Sequence, residues 1–178
     1  RSMNSIKQQG AVLISVMIYM LVLSMLGISS MRGAAMEERM ASNEWEHSRA
    51  FQAAESVIQD AGVWFLFQPD LIEPTTDGSS GVWPTGTVAN AVVDSSFDWS
   101  TNGVNYGDDS GNSTTLFGDL IASPQYVIEE AGFEPADNDP DTLAKKTGVF
   151  YYTVSAVGYG RSAGSRSVLQ VTLEKHNN

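Results

Sequence analysis

The sequence predicts an α+β fold, with a long N-terminal helix whose second half packs on a C-terminal antiparallel β-sheet. Three features predict it. No charge occurs between Lys7 and Arg32, and the run from Ala11 to Met31 is apolar almost throughout. From Met31 to Gly62 there is no proline, and the good helix formers Ala, Met, Glu, Arg and Gln are frequent. Near the C-terminus, Val149–Val157 and Val168–Leu173 show the period-two pattern of half-buried strands.

The helix divides into two parts. At about 1.5 Å of rise per residue, the run from Ala11 to Met31 reaches roughly 32 Å, the thickness of a bilayer's hydrocarbon core. Its polar side chains are Ser15, Tyr19, Ser24, Ser29 and Ser30. Helical serines can bond back to their own turn, so they do not argue against insertion. Residues 11–32 therefore read as a membrane-spanning half and residues 33–62 as an amphipathic half. In the second half Phe51, Ala54, Ile58, Ala61 and Phe65 form an apolar stripe, with Glu44, Glu46, Arg49, Glu55 and Asp60 mostly off it. Gly27 and Gly33, with the nearby serines, weaken the middle. They suit either close helix packing or a segment that unwinds.

Residues 63–178 read as a soluble head. Pro69 ends regular structure, and residues 70–122 are rich in Gly, Pro, Ser, Thr, Asn and Asp. Within that loop-rich region, Val88–Val93 and Phe97–Trp99 fit short strands or a short helix. The sheet is expected over residues 124–174. Gln125–Glu130 is one strand. Val149–Val157 sets Phe150, Tyr152, Val154 and Ala156 on one face, and Val168–Leu173 sets Leu169, Val171 and Leu173 on one face. The glycine-rich stretch from Gly158 to Gly164 suits a hairpin between the last two. Such a sheet needs its apolar face covered, and the helix stripe is the cover.

Composition narrows the function. Net charge is −11, and beyond Gly62 there are 5 basic and 15 acidic residues with no basic stripe, which argues against nucleic-acid binding. There is no cysteine, so disulfides, cysteine-held metals and thiol chemistry are excluded. His47 and His176 are far apart in the sequence, and no nucleophile motif accompanies them. A bitopic membrane enzyme with a periplasmic head would need convergent titratable groups that this sequence does not display. No cofactor is expected. The one metal candidate is calcium at Asp137, Asp139 and Asp141, which alternate as at the start of a calcium loop. The sixth position of that loop is Thr142 and the twelfth is Gly148, so it is not an EF-hand, and a solvated acidic loop is the ordinary reading. The stretch Tyr106–Asn112 is similar, and Asn112-Ser113-Thr114 matches a glycosylation triplet.

The boundary at Gly10 is the most specific feature. Residues 1–10 read as a short polar leader. A secretory signal peptide places its small-residue cut after the apolar core, whereas here the candidate cut precedes it. The hydrophobic helix is thus expected to survive processing. With that order in view, the chain resembles the PilX family of type IV minor pilins. The resemblance is carried by Gln8-Gln9-Gly10-Ala11-Val12-Leu13, by Met31-Arg32-Gly33, by Met36-Glu37-Glu38-Arg39-Met40-Ala41-Ser42-Asn43, and by Ala50-Phe51-Gln52-Ala53-Ala54-Glu55. Pro124–Glu130 and Val168-Leu169-Gln170 are similar to the C-terminal part of that family.

The resemblance implies a type IV pilin-like fold, leader cleavage after Gly10 and methylation of the new terminus at Ala11. It implies an inner-membrane, single-pass subunit with a periplasmic head, later packed by its helix into a pilus. Arg32, Glu37, Glu38, Arg39, Asn43, Phe51 and Glu55 are the matching positions for helix assembly. The implied partners are other minor pilins, the major pilin, the inner-membrane assembly machinery and a tip adhesin. Major pilins usually carry a glutamate five residues after the cut, and here that position is Ser15. A buried carboxylate is costly unless paired, so a subunit without one suits the fibre tip, where no predecessor lies ahead. A minor pseudopilin of a type II secretion system is the alternative, sharing leader, helix and head.

Overall fold

The computed structural model describes residues 8–68, 71–88, 92, 96–108, 117–162 and 164–177. Residues 1–7 of the expected leader, residues 109–112 of the second acidic stretch and the triplet Asn112-Ser113-Thr114 lie outside the described residues. Two compact units are present, Arg1–Glu44 and Trp45–Asn178. One helix, α1 (Gln8–Phe67), contributes to both.

The first unit contains the start of α1. Residues 12–44 are exposed along their whole length, and as far as Met31 the helix carries no charge on any side. Ser24 Oγ donates to the Met20 carbonyl at 2.7 Å, the local bond expected of a serine in an apolar helix.

In the second unit the helix runs past Gly62, the expected end, to Phe67. Tertiary burial carries it on. Phe65 is buried and meets Tyr152 edge-on, with ring centroids 4.7 Å apart, a side-chain burial that stabilises by about 1.5–3 kcal/mol. Lys175 Nζ donates to the Gln68 carbonyl at 2.6 Å, placing a cation at the helix C-terminus, where exposed carbonyls favour it.

The buried face of α1 differs from the expected stripe. It comprises Ala50, Ala53, Ala54, Val57, Ala61 and Phe65, whereas Phe51 is 43% exposed. The cause lies across the interface. A Cβ on Gly158 would collide with the Ala50 carbonyl and the Ala54 amide, so α1 and the sheet approach backbone to backbone, leaving room for alanines. Asp60, expected on the polar side, is also buried, and its carboxylate accepts the Gly107 amide at 2.9 Å.

The remaining elements are β1 (Val82–Trp83), α2 (Trp99–Asn102), β2 (Val104–Asn105), β3 (Gln125–Pro135), α3 (Pro140–Ala144), β4 (Gly148–Tyr159) and β5 (Arg166–Asn177). The sheet order is β1-β3-β4-β5, with β2 also on β3. It is mixed rather than antiparallel, because β1 pairs parallel to β3, Val82 opposite Ile128. Both of these residues are fully buried, so core packing holds the short parallel pair. β3 runs five residues beyond its expected end at Glu130, past a register shift between Glu130 and Gly132. β4 and β5 pair antiparallel over 12 residues each.

Phe150, Tyr152, Val154 and Ala156 of β4 meet Val57, Ala61 and Phe65 of α1 in the main core. The loop-rich region covers the opposite sheet face. Val88, Val92 and Trp99 pack there with Val127 and Val157. The carboxylate of Glu129, itself buried, fastens that layer. It accepts the backbone N–H groups of Gly86, of Thr87 at 3.2 Å and of Val88 at 2.9 Å.

Candidate assembly surface

The residues singled out from the sequence fall on two stretches of α1. In the first unit Val12–Met31 presents Val12, Leu13, Ile14, Met17, Ile18, Leu21, Leu23 and their neighbours to the exterior. The most apolar part of this helix has a mean hydropathy of 2.4, long and apolar enough to cross a membrane. Gly10, Ala11 and Ser15 all lie within α1 near its start.

Farther along, helical geometry sorts the charges. Arg32, Met36, Arg39, Met40 and Asn43 recur at three- and four-residue spacing and share one face, while Glu37 and Glu44, seven apart, share another. All seven are exposed, and no ion pair among the described residues involves Arg32, Glu37, Glu38 or Arg39. This part of the helix is therefore a surface with separated basic and acidic faces.

The Ala50–Glu55 string divides by role. Ala50, Ala53 and Ala54 are the small residues that meet the sheet, while Phe51, Gln52 and Glu55 face outward. Phe51 and Glu55 stand one turn apart on the same side. The exposed apolar surface of α1 continues at Val63, and Leu66 and Phe67 are 81% and 82% exposed.

Three residues not singled out for this surface position it. Glu46 Oε2 accepts the Arg161 amide at 2.6 Å and the Ser162 amide at 3.3 Å, tying α1 to the β4–β5 connection. The Arg49 guanidinium lies 4.7 Å from the Trp45 ring and pairs with Asp119, holding that carboxyl below its ordinary range. The helix stripe alone gave no sign of these contacts, because the partners of Glu46 and Arg49 are loop residues distant in sequence.

The acidic segment behaves as a set of local caps. Asp137 accepts the Asp139 amide at 3.0 Å, and Asp139 accepts the Asp141 amide at 3.1 Å as the N-cap of α3. The Thr142 hydroxyl and the Asp139 amide lower the pKa of Asp137. Among the described residues no group of three or more His, Asp or Glu side chains is arranged to hold a metal ion. In the second stretch Asp108 accepts from the Asn105 side chain at 2.9 Å. His47 is exposed on α1, and His176 lies on β5 beside Glu174.

Residues 9–59 match the family model described as PilX N-terminal. This segment is similar to the N-terminal helix of PilX-type pilins. The match takes in the apolar run, the Arg32–Asn43 surface and the Ala50–Glu55 string, and the sheet lies beyond it. No curated protein and no solved structure matches the chain. The likeness to PilX N-terminal segments and the exposed apolar half of α1 fit a membrane-anchored, type IV pilin-like protein.

Proposed function

We propose that this protein is a minor pilin of a type IV pilus that helps initiate assembly at or near the fibre tip. The observation that carries the reading is the PilX N-terminal match over a helix whose first half is apolar and exposed. Leader cleavage after Gly10 and methylation at Ala11 leave that helix as the mature N-terminus. It holds the subunit in the inner membrane with a periplasmic head, then moves into the helical core of the fibre. Both environments are apolar, so the transfer need not expose the helix to water.

The partners in this reading are other minor pilins, the major pilin, the inner-membrane assembly machinery and a tip adhesin. The exposed side chains Arg32, Glu37, Glu38, Arg39, Asn43, Phe51 and Glu55 supply helix-to-helix contacts. Ser15 in place of a glutamate removes a charge that a subunit with nothing ahead of it would leave unpaired in an apolar core. Immunogold labelling of intact fibres tests the position. Label at fibre ends, with displacement or loss in Ser15→Glu, is expected. Label spread evenly along the shaft contradicts the tip assignment.

A further inference from the structure

Just past its apolar run, the first unit of α1 carries opposite charges on two separate faces. Arg32 and Arg39 lie seven residues apart, and so do Glu37 and Glu44. At 3.6 residues per turn the two pairs point in directions about 140° apart. All four side chains are exposed, and among the described residues no ion pair involves them. The helix does not neutralise these charges within itself, because Arg32 and Glu37 stand on different sides.

A second copy of the same helix does. Let the basic face of one copy meet the acidic face of a parallel one, displaced along the axis by five residues, or about 7.5 Å. Arg32 then lies level with Glu37, and Arg39 level with Glu44. No other offset between parallel copies matches both pairs.

The apolar run fits the same offset independently of the charges. Ile28 and Met25, on the arginine side, lie level with Gly33 and Ser30 on the glutamate side. Ile28 and Met25 are 54% and 66% exposed, and a Cβ on Gly33 would meet nothing. Large side chains of one face thus oppose small residues of the other, which lets helices approach closely in an apolar medium. Antiparallel helices would also match the charges. Chains anchored by their apolar runs in one membrane run parallel, however, a step that rests on the anchored-pilin reading.

We propose that residues 25–44 of α1 bind the same stretch of a second copy of this chain, in parallel and five residues out of step. The contact joins unlike faces, so each copy of the pair keeps one charged face for a further helix.

Disulfide trapping tests this, because the chain has no cysteine of its own. Full chains carrying Ile28→Cys and Gly33→Cys are co-produced in a bacterial host that lacks other pilins, and the inner membranes are oxidised. At the five-residue offset these positions lie level and should be trapped. Replacing Gly33→Cys by Leu26→Cys moves the second thiol about 10.5 Å along the axis, beyond disulfide reach, and should lower the yield at least about tenfold. Arg32→Glu with Arg39→Glu in both chains should lower the first yield by about fivefold or more. Adding Glu37→Arg with Glu44→Arg should restore it. Equal yields from the two cysteine pairs, or indifference to charge reversal, overturn the proposal. So does trapping that appears only when another pilin is co-produced. Alkaline extraction of the membranes separates the two readings. Untrapped chains that stay in the membrane overturn this proposal alone, whereas chains that wash out overturn the anchored reading and the parallel pair with it.

Discussion

Gly158 of β4 lies against the Ala50 carbonyl and the Ala54 amide of α1 so closely that a Cβ has no room. This contact sets the rotation of the helix on the sheet. It brings Ala50, Ala53 and Ala54 inward and leaves Phe51 and Glu55 outside, so one packing constraint decides which side chains of α1 face outward.

Gly158→Ala therefore forces backbone from backbone rather than displacing a flexible side chain. A loss of about 1–3 kcal/mol is expected. Urea unfolding of the full chain in detergent should show a lower midpoint at unchanged slope. An unchanged midpoint contradicts the close approach.

Phe51 and Phe65 should separate assembly from stability. Phe65→Ala opens the core and costs about 3–5 kcal/mol. Phe51→Ala, at an exposed site, shifts stability by no more than about 0.5 kcal/mol. It should nevertheless lower the number of surface pili. Full piliation by a stably folded Phe51→Ala protein removes Phe51 from the assembly surface.

Glu129 fastens the layer on the other sheet face. Glu129→Ala leaves the amides of Gly86, Thr87 and Val88 without their acceptor, at a cost of about 1–3 kcal/mol. Hydrogen exchange should quicken first at these three amides. Acceleration confined to β4 and β5 contradicts the assignment.

Tyr152 predicts an alkaline limit. Burial, with smaller effects from Glu130 and Glu73, pushes its hydroxyl from 10.0 up to about 12. Because the folded value is raised, its contribution to stability is fully present below about pH 10 and is lost as pH rises through about 12. Melting temperatures between pH 9 and 12 should fall more steeply in the wild type than in Tyr152→Phe. Parallel curves contradict this.

The elements written by local periodicity were legible in the sequence. The alternation in Val149–Val157 and Val168–Leu173 gave the faces of β4 and β5, and the glycines between them marked the hairpin. The helix was equally clear, but its buried side was not. A 3.6-residue pattern accommodates either Phe51 or Ala50 on the inner face, and the choice depends on Gly158, more than a hundred residues away. Buried Asp60 and Glu129 were hidden for the same reason, since the amides that satisfy them come from distant loops. β1 and β2, at two residues each, are too short to carry a pattern. On the assembly surface, Glu37, Glu38, Arg39 and Asn43 were readable as a string, whereas their separation into faces required the helix.

The central claim is that the apolar helix is kept after processing, with Ala11 as the mature N-terminus. Intact-mass and terminal-peptide mass spectrometry of the protein from a piliated host tests it most directly. A chain beginning at Ala11 with one added methyl group is predicted, with Gly10→Asp remaining uncut and surface pili lost. A wild-type protein that retains its leader, or one cut after Met31 with the apolar run removed, contradicts the account.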